Sequence, residues 1–80
     1  MNDDELIGRI GSLVDEEHRL EDAAGPDGLD ETERERLRWI EVALDQCWDL
    51  LRQRRARRRR GEDPDVASVR PEHVVEDYKQ

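Results

Sequence analysis

Residues 37–51 read LRWIEVALDQCWDLL, and the spacing of their apolar side chains decides the fold. Apolar residues recur at intervals of three and four, which is typical of an α-helix with one buried face. The members of this stripe are Leu37, Ile40, Leu44, Cys47, Trp48 and Leu51. Trp39, Ala43 and Leu50 widen the apolar sector to nearly half of the helix circumference, at about 100° per residue. One neighbouring helix needs less apolar surface than this, so the sequence predicts a further packing partner.

Capping signals bound this helix on both sides. Asp30 and Glu33 form the D-x-x-E arrangement of a capping box, which predicts a start near Glu31. Gly61 follows the last arginine and Pro64 lies just beyond it, which predicts an end at residue 60. The predicted helix over residues 31–60 is therefore about 45 Å long.

A first helix is predicted over residues 3–23, before a turn at 24–30 that contains Gly25, Pro26 and Gly28. Asn2 or Asp3 can cap this helix. Its apolar residues recur at helical spacing and are Leu6, Ile7, Ile10, Leu13, Val14 and Leu20. Two helices joined by a short turn form an antiparallel hairpin, in which the numbers of facing residues add up to about 53.

Residues 61–80 form an acidic tail with a short predicted helix at about 71–78. Pro71 suits the first position of that helix. The apolar residues of the tail suffice to dock it but not to fold it alone, and they are Val66, Val69, Val74, Val75 and Tyr78. The sequence thus predicts an all-α protein with a hairpin over residues 1–60 and a C-terminal tail, dimerising into a helical bundle.

The composition argues against an enzyme. Charged residues make up 45% of the 80 residues and the net charge is −8, which leaves little apolar surface for the walls of a cleft. No glycine-rich phosphate loop or nucleophile–base pair stands out, so we expect no catalytic residue and no cofactor. The chain has no apolar run of membrane-spanning length, and its acidic N-terminus is unlike a secretory signal. We therefore expect a cytoplasmic protein.

The most pronounced charge feature is RQRRARRRR at residues 52–60, with seven arginines and no acid. The candidate polyanion-binding residues are Arg52, Arg54, Arg55, Arg57, Arg58, Arg59 and Arg60. Seven arginines on one helix end could neutralise several phosphates of a nucleic acid. Alternatively, they pair with Asp3, Asp4 and Glu5 or with the acidic tail. A pI near 4.7 and the absence of base-stacking aromatic residues near the run favour structural pairing or a protein contact.

Three residues are candidates for intermolecular contact, namely Trp39, Leu50 and Glu17. Trp39 and Trp48 are nine positions apart and point to different sides, so Trp48 is predicted in the hairpin core and Trp39 at an interface. Glu17 lies near the centre of the apolar arc and needs a partner, such as Arg34 or an indole N–H. We interpret Glu17 as a polar group that fixes helix register, with a general acid as the alternative.

Two further features would form a metal site or a reactive thiol only under an alternative interpretation. Asp15 and His18 have the carboxylate-x-x-His spacing of di-iron helical bundles, but a full site needs this motif twice, so we predict no metal site. Cys47 lies on the apolar stripe and is predicted in the core. The alternative is a redox-sensitive thiol, which requires exposure near Arg54 and Arg55.

The stretches LVDEEHRL at 13–20 and LDQCWDLLRQRRA at 44–56 resemble a family of small bacterial proteins classed as a domain of unknown function. The turn at 63–65 and the segments VRP at 69–71 and VVEDY at 74–78 are similar too. The resemblance covers nearly the whole chain and implies that the tail belongs to the domain, but it implies no activity. We therefore expect a non-enzymatic protein-interaction or oligomerising module, a dimer being favoured. The alternative is a small nucleic-acid-associated regulator that binds through Arg52–Arg60.

Overall fold

The computed structural model describes residues 1–76, which are all-helical without a β-strand. Two long helices, α1 at Asp3–Asp22 and α2 at Glu31–Arg59, are followed by a 3₁₀ turn at Pro64–Val66 and a short helix α3 at Glu72–Glu76. The predicted all-α class, with two long helices and a short C-terminal helix, is confirmed. Positions 77 and 78 of the predicted tail helix lie outside the described residues.

Both long helices begin at capping boxes. The Asn2 side chain accepts from the Glu5 backbone N–H at 2.8 Å, and the Asp30 side chain accepts from the Glu33 backbone N–H at 2.8 Å. In each case the glutamate side chain accepts a hydrogen bond from the backbone N–H of the cap residue, so two otherwise unpaired donors are satisfied. Helix α2 ends before Gly61, whose φ of 74° is the left-handed conformation that glycine adopts without steric cost.

Helices α1 and α2 pack antiparallel around a small apolar core. Glu16 pairs with Arg36 near the turn, whereas Asp3 pairs with Arg54 near the opposite end of the hairpin. The buried core residues of the two helices are Leu6, Ile10, Leu13, Ile40, Ala43, Cys47, Leu50 and Leu51. Cys47 is 7% exposed, which confirms its predicted place in the core.

Residues 61–76, which we call the strap, turn back and run antiparallel to α2. Asp65 contacts Arg54, Ser68 contacts Gln53, and further along the strap Arg70 contacts Asp49, so partner numbers on α2 fall as strap numbers rise. Val75 is 2% exposed, so the strap also buries apolar surface. Helix α2 is therefore the central element, with α1 on one side and the strap on another.

A buried carboxylate holds the middle of the strap. Asp49 is 0% exposed, and Arg70 donates to both of its oxygens, Nε to Oδ2 at 2.9 Å and Nη2 to Oδ1 at 2.8 Å. Gln53 donates both to Asp49 Oδ2 and to the carbonyl of Ser68, each at 2.9 Å. Such a forked arrangement satisfies the carboxylate and fixes the direction of the guanidinium. The strap is thereby bound to α2 in one register.

We expect Asp49→Ala to detach the strap from α2, because Arg70 then loses both hydrogen bonds to the Asp49 carboxylate. Breaking a buried ion pair costs about 3–5 kcal/mol, and here the cost is expected near the lower end because Arg70 can swing into water. Hydrogen exchange at the amides of residues 66–75 measures the effect. Asp4→Ala removes an exposed carboxylate and is the control; equal loss of protection in the control would contradict the expectation.

Gly8 and Gly11 lie inside α1, and a Cβ added at either position would meet no atom within 4 Å. Glycine inside a helix is less favourable than alanine by about 1 kcal/mol. We therefore expect Gly8→Ala to raise the free energy of unfolding by about that amount in urea denaturation. Gly28→Ala is the contrasting variant, since its φ of 81° makes a side chain unfavourable there. A loss of stability in Gly8→Ala would contradict the described environment of α1.

Candidate functional site

Arg54 is a structural centre at the open end of the hairpin. Its side chain is 6% exposed, and Nε donates to Asp3 Oδ1 at 2.7 Å while Nη1 donates to Asp65 Oδ1 at 2.8 Å. The same Nη1 lies 3.3 Å from the carbonyl oxygen of Pro64. One guanidinium thus joins the start of α1, the end of α2 and the strap. Arg54 is consequently withdrawn from solvent, unlike the exposed polyanion contact expected from the sequence.

The other ion pairs at this end are formed by two acids, Asp3 and Glu62. Arg58 donates to Asp3 Oδ2 at 2.5 Å, and Arg57 lies 3.3 Å from Glu62, which also pairs with Arg60. Asp3, one of the partners that the structural interpretation named, therefore holds two arginines of the 52–60 segment. The acidic strap holds three through Asp65 and Glu62.

Pairing shifts the pKa of each of these groups in the direction that favours its charged form. Hydrogen bonds from Arg58 and then Arg54 lower the pKa of Asp3, and the bond from Arg60 lowers the pKa of Glu62. The hydrogen bond to Asp3 raises the pKa of Arg54, with a further contribution from Asp65. Each group is held charged, which stabilises the fold and does not create a proton donor near neutral pH.

Five arginines of the segment are exposed, namely Arg52, Arg55, Arg58, Arg59 and Arg60. Arg52, Arg55 and Arg59 line an open groove of about 630 Å³ beside the strap, which Arg57, Arg60 and Arg70 also line. Arg58 and Arg60 are held in the ion pairs with Asp3 and Glu62. Arg54 is not exposed, because three acceptors surround its guanidinium.

Trp39 and Leu50 lie on one face of α2, because eleven residues return the helix to within about 20° of the same direction. Trp39 is 47% exposed, and Arg36 Cζ lies 4.4 Å from the centroid of its ring. Leu50 is 7% exposed and borders an apolar groove of about 340 Å³. The groove is lined by Met1, Leu6, Arg9, Ala43, Gln46, Cys47, Leu50, Ala67, Ser68 and Val69. We call Trp39 together with this groove the tail-side face.

The prediction that Trp48 lies in the hairpin core is wrong. Its side chain is 44% exposed, nearly as much as that of Trp39. The apolar sector of α2 is wider than α1 can cover, and Trp48 lies on the side away from the tail-side face, half a turn from Trp39. Ile7 of α1 is 52% exposed as well.

Glu17 is half-buried, but the carboxylate that bridges α1 to α2 is that of its neighbour Glu16. Arg36 donates to Glu16 through Nε at 2.5 Å and Nη2 at 2.7 Å, and this pairing lowers the pKa of Glu16. Arg34, the expected partner of Glu17, donates instead to the Leu29 carbonyl at 2.9 Å. The Glu16–Arg36 pair has a residue-number sum of 52, close to the expected 53, whereas the Asp3–Arg54 pair at the open end has a sum of 57, about one helical turn away.

Within residues 1–76, no group of three or more His, Cys, Asp or Glu side chains is arranged to hold a metal ion. In the same range, neither long helix combines the length and the apolar character that crossing a membrane requires. Sequence reasoning missed Asp49 and Arg70, which form the ion pair that docks the strap. The available signal was weak: an acid and a glutamine, Asp49 and Gln53, lie one helical turn apart on α2.

The fold defines a class of small all-helical module, a hairpin fastened by a C-terminal strap. Within this class, the chain belongs to the family described as protein of unknown function DUF2630, whose family model matches residues 2–80. Uncharacterised proteins of Mycobacterium tuberculosis strain H37Rv and of Mycobacterium bovis are each 51% identical to it over 77 residues. These matches cover 95% of this chain and 88% of each relative. No solved structure matches the chain. The family resemblance is confirmed, and the family description gives no activity.

Acidification is expected to weaken the fold through Asp3. Because its pKa is lower in the folded protein than the ordinary value of 3.8, its contribution to stability is complete above that value. The contribution is lost as the pH falls through the lower, folded-state pKa. Asp3→Asn should therefore flatten the acid-side decline of the unfolding free energy below about pH 4, measured by urea denaturation across pH. Asp4→Asn is the control, and an equal flattening there would contradict this role of Asp3.

Proposed function

We propose that this protein is a non-enzymatic, cytoplasmic module that acts by self-association, with two copies packing their tail-side faces together. The observation that carries the proposal is the pairing of an exposed tryptophan with an apolar groove on the same face of α2. Trp39 and Leu50 are about 16 Å apart along the helix axis. The surface therefore offers both a projecting side chain and a recess that suits one.

Two-fold symmetry makes this surface complementary to itself. An axis perpendicular to α2 and midway between Trp39 and Leu50 brings the tryptophan of each copy over the groove of the other. A buried tryptophan removes about 150–250 Å² from water and is a frequent centre of binding energy. Met1 and Val69 at the groove are 62% and 59% exposed, so they offer further apolar surface to the incoming ring. The product is an antiparallel four-helix arrangement.

The charge distribution supports the antiparallel orientation. Residues 15–45, around the hairpin turn, carry twelve acids and four arginines. Residues 1–14 and 46–70, at the open end, carry seven acids and nine arginines. Antiparallel copies bring the acidic turn end of one against the arginine-rich end of the other, and parallel copies would bring like charge together.

The pattern of pKa changes favours a structural over a catalytic use of the ionisable groups. Asp3, Glu16 and Glu62 all have a lowered pKa because an arginine donates to each carboxylate. A general acid near neutral pH needs the opposite change. We therefore propose that these charged groups hold α1, α2 and the strap together and take no part in catalysis.

We expect the protein to have a molar mass of twice the 9.5 kDa chain by light scattering during size-exclusion chromatography at micromolar concentrations. Trp39→Ala should yield the monomer. Loss of an interface tryptophan costs about 2 kcal/mol or more in binding free energy. Because two are lost per dimer, the dissociation constant of the dimer should rise by roughly a thousand-fold.

Trp48→Ala is the matched control, because it removes the same side chain at similar exposure from the opposite side of α2. It should leave the dimer intact, with helicity of both variants checked by circular dichroism. A monomeric wild-type protein at all concentrations, or equal weakening by the two substitutions, would contradict the proposal.

A further inference from the structure

A stripe of one tryptophan and three arginines follows the side of α2 away from the tail-side face. Trp48, Arg52, Arg55 and Arg59 lie within about 60° of one another around the helix, over a length of about 16 Å. All four are exposed. We call this set the basic stripe. Its use does not depend on the self-association proposed above, because Trp39 lies on the opposite side of the helix.

We propose that the basic stripe binds single-stranded nucleic acid, with a base stacked on Trp48 and phosphates held by the arginines. Proteins that bind single strands combine a basic groove along the backbone with aromatic side chains on which bases stack. Trp48 supplies the stacking surface, and Arg52, Arg55 and Arg59 border the groove of about 630 Å³ described above. Both parts of such a site are therefore adjacent.

Two acids at this end are engaged by arginines that lie outside the basic stripe. Asp3 is engaged by Arg54 and Arg58, while Glu62 is engaged by Arg57 and Arg60. None of the ion pairs given for residues 1–76 uses Arg55 or Arg59. The groove is lined by six arginines and one acid, Asp49, and such an excess of positive charge creates a potential that attracts anions.

The acidic composition does not oppose this assignment once positions are considered. Twelve of the 22 acids lie in residues 15–45, around the hairpin turn and away from the stripe. The sequence argument that no aromatic residue accompanies the arginines also changes, because it assumed a buried Trp48. With its ring 44% exposed and four residues before Arg52, Trp48 is part of the same surface.

A single-tryptophan chain tests the stacking directly. In Trp39→Phe, the remaining indole fluorescence reports Trp48 alone, and it is titrated with short oligothymidylate, oligouridylate and a duplex of equal length. We expect both single strands to quench the emission at about 50 mM salt and the duplex to bind more weakly. Heparin is the polyanion control, which should bind without quenching. No binding of either single strand, or quenching by heparin equal to that by the strands, would overturn the proposal.

Substitutions separate the contribution of base stacking to the binding affinity from the contribution of charge. Trp48→Ala should weaken binding of oligothymidylate by about ten-fold, and Trp48→Phe should retain most of the affinity. Three phosphate contacts give a slope of about −2 in log affinity against log salt, and Arg55→Ala should reduce its magnitude by about 0.7. Arg19→Ala makes the same charge change on α1 and should not alter the slope. Unchanged affinity in Trp48→Ala, or equal slopes for Arg55→Ala and Arg19→Ala, would also overturn it.

Discussion

The ion pair between Asp49 and Arg70 determines which sides of α2 are covered. A carboxylate with no exposed surface needs a partner that satisfies both oxygens, and Arg70 does so from the strap. Gln53 completes the arrangement by bonding both Asp49 and the backbone of Ser68. The strap must therefore run where these bonds can form, and this course creates the groove beside Leu50.

Arg54 plays the corresponding part at the open end of the hairpin. Its contacts to Asp3 and Asp65 join three segments that carry little apolar surface of their own. A chain of 80 residues has a small core, so the directional bonds of the buried Arg54 contribute specificity that apolar packing alone does not give. The arginine segment consequently has two uses: Arg54 and Arg58 fasten the fold, and Arg52, Arg55 and Arg59 face solvent.

Local sequence signals were sufficient for the two long helices and for most of the core between them. The capping box at Asp30 and Glu33 and the glycine after α2 act over a few residues, and the apolar period identified the core residues, Cys47 among them. The position of the strap could not be predicted from such local signals. Arg70 is 21 residues from Asp49, and nothing in the helical period indicates that a carboxylate opposite the apolar stripe is buried.

The candidate surfaces were partly predictable for the same reason. A helical wheel gives the width of the apolar sector, and it placed Trp39 and Trp48 on different sides. It does not tell which edge the other segments leave open, so it assigned Trp48 to the core. The structure leaves both tryptophans exposed, one beside an apolar groove and one beside arginines. These different surroundings are why we propose a different partner for each.

The most direct measurement of the central claim is the exchange rate of arginine side-chain Nε–H protons with water, observed by NMR. The guanidinium groups of Arg54, which is buried, and of Arg70, which is about one-third exposed, each donate two or more hydrogen bonds and predict slow exchange. The exposed Arg55 and Arg59 are the references and should exchange fast. Nuclear Overhauser contacts from the Arg70 side chain to the Gln53 side-chain amide are predicted alongside. Exchange at Arg70 as fast as at Arg55, without those contacts, would contradict the claim that Asp49 fastens the strap to α2.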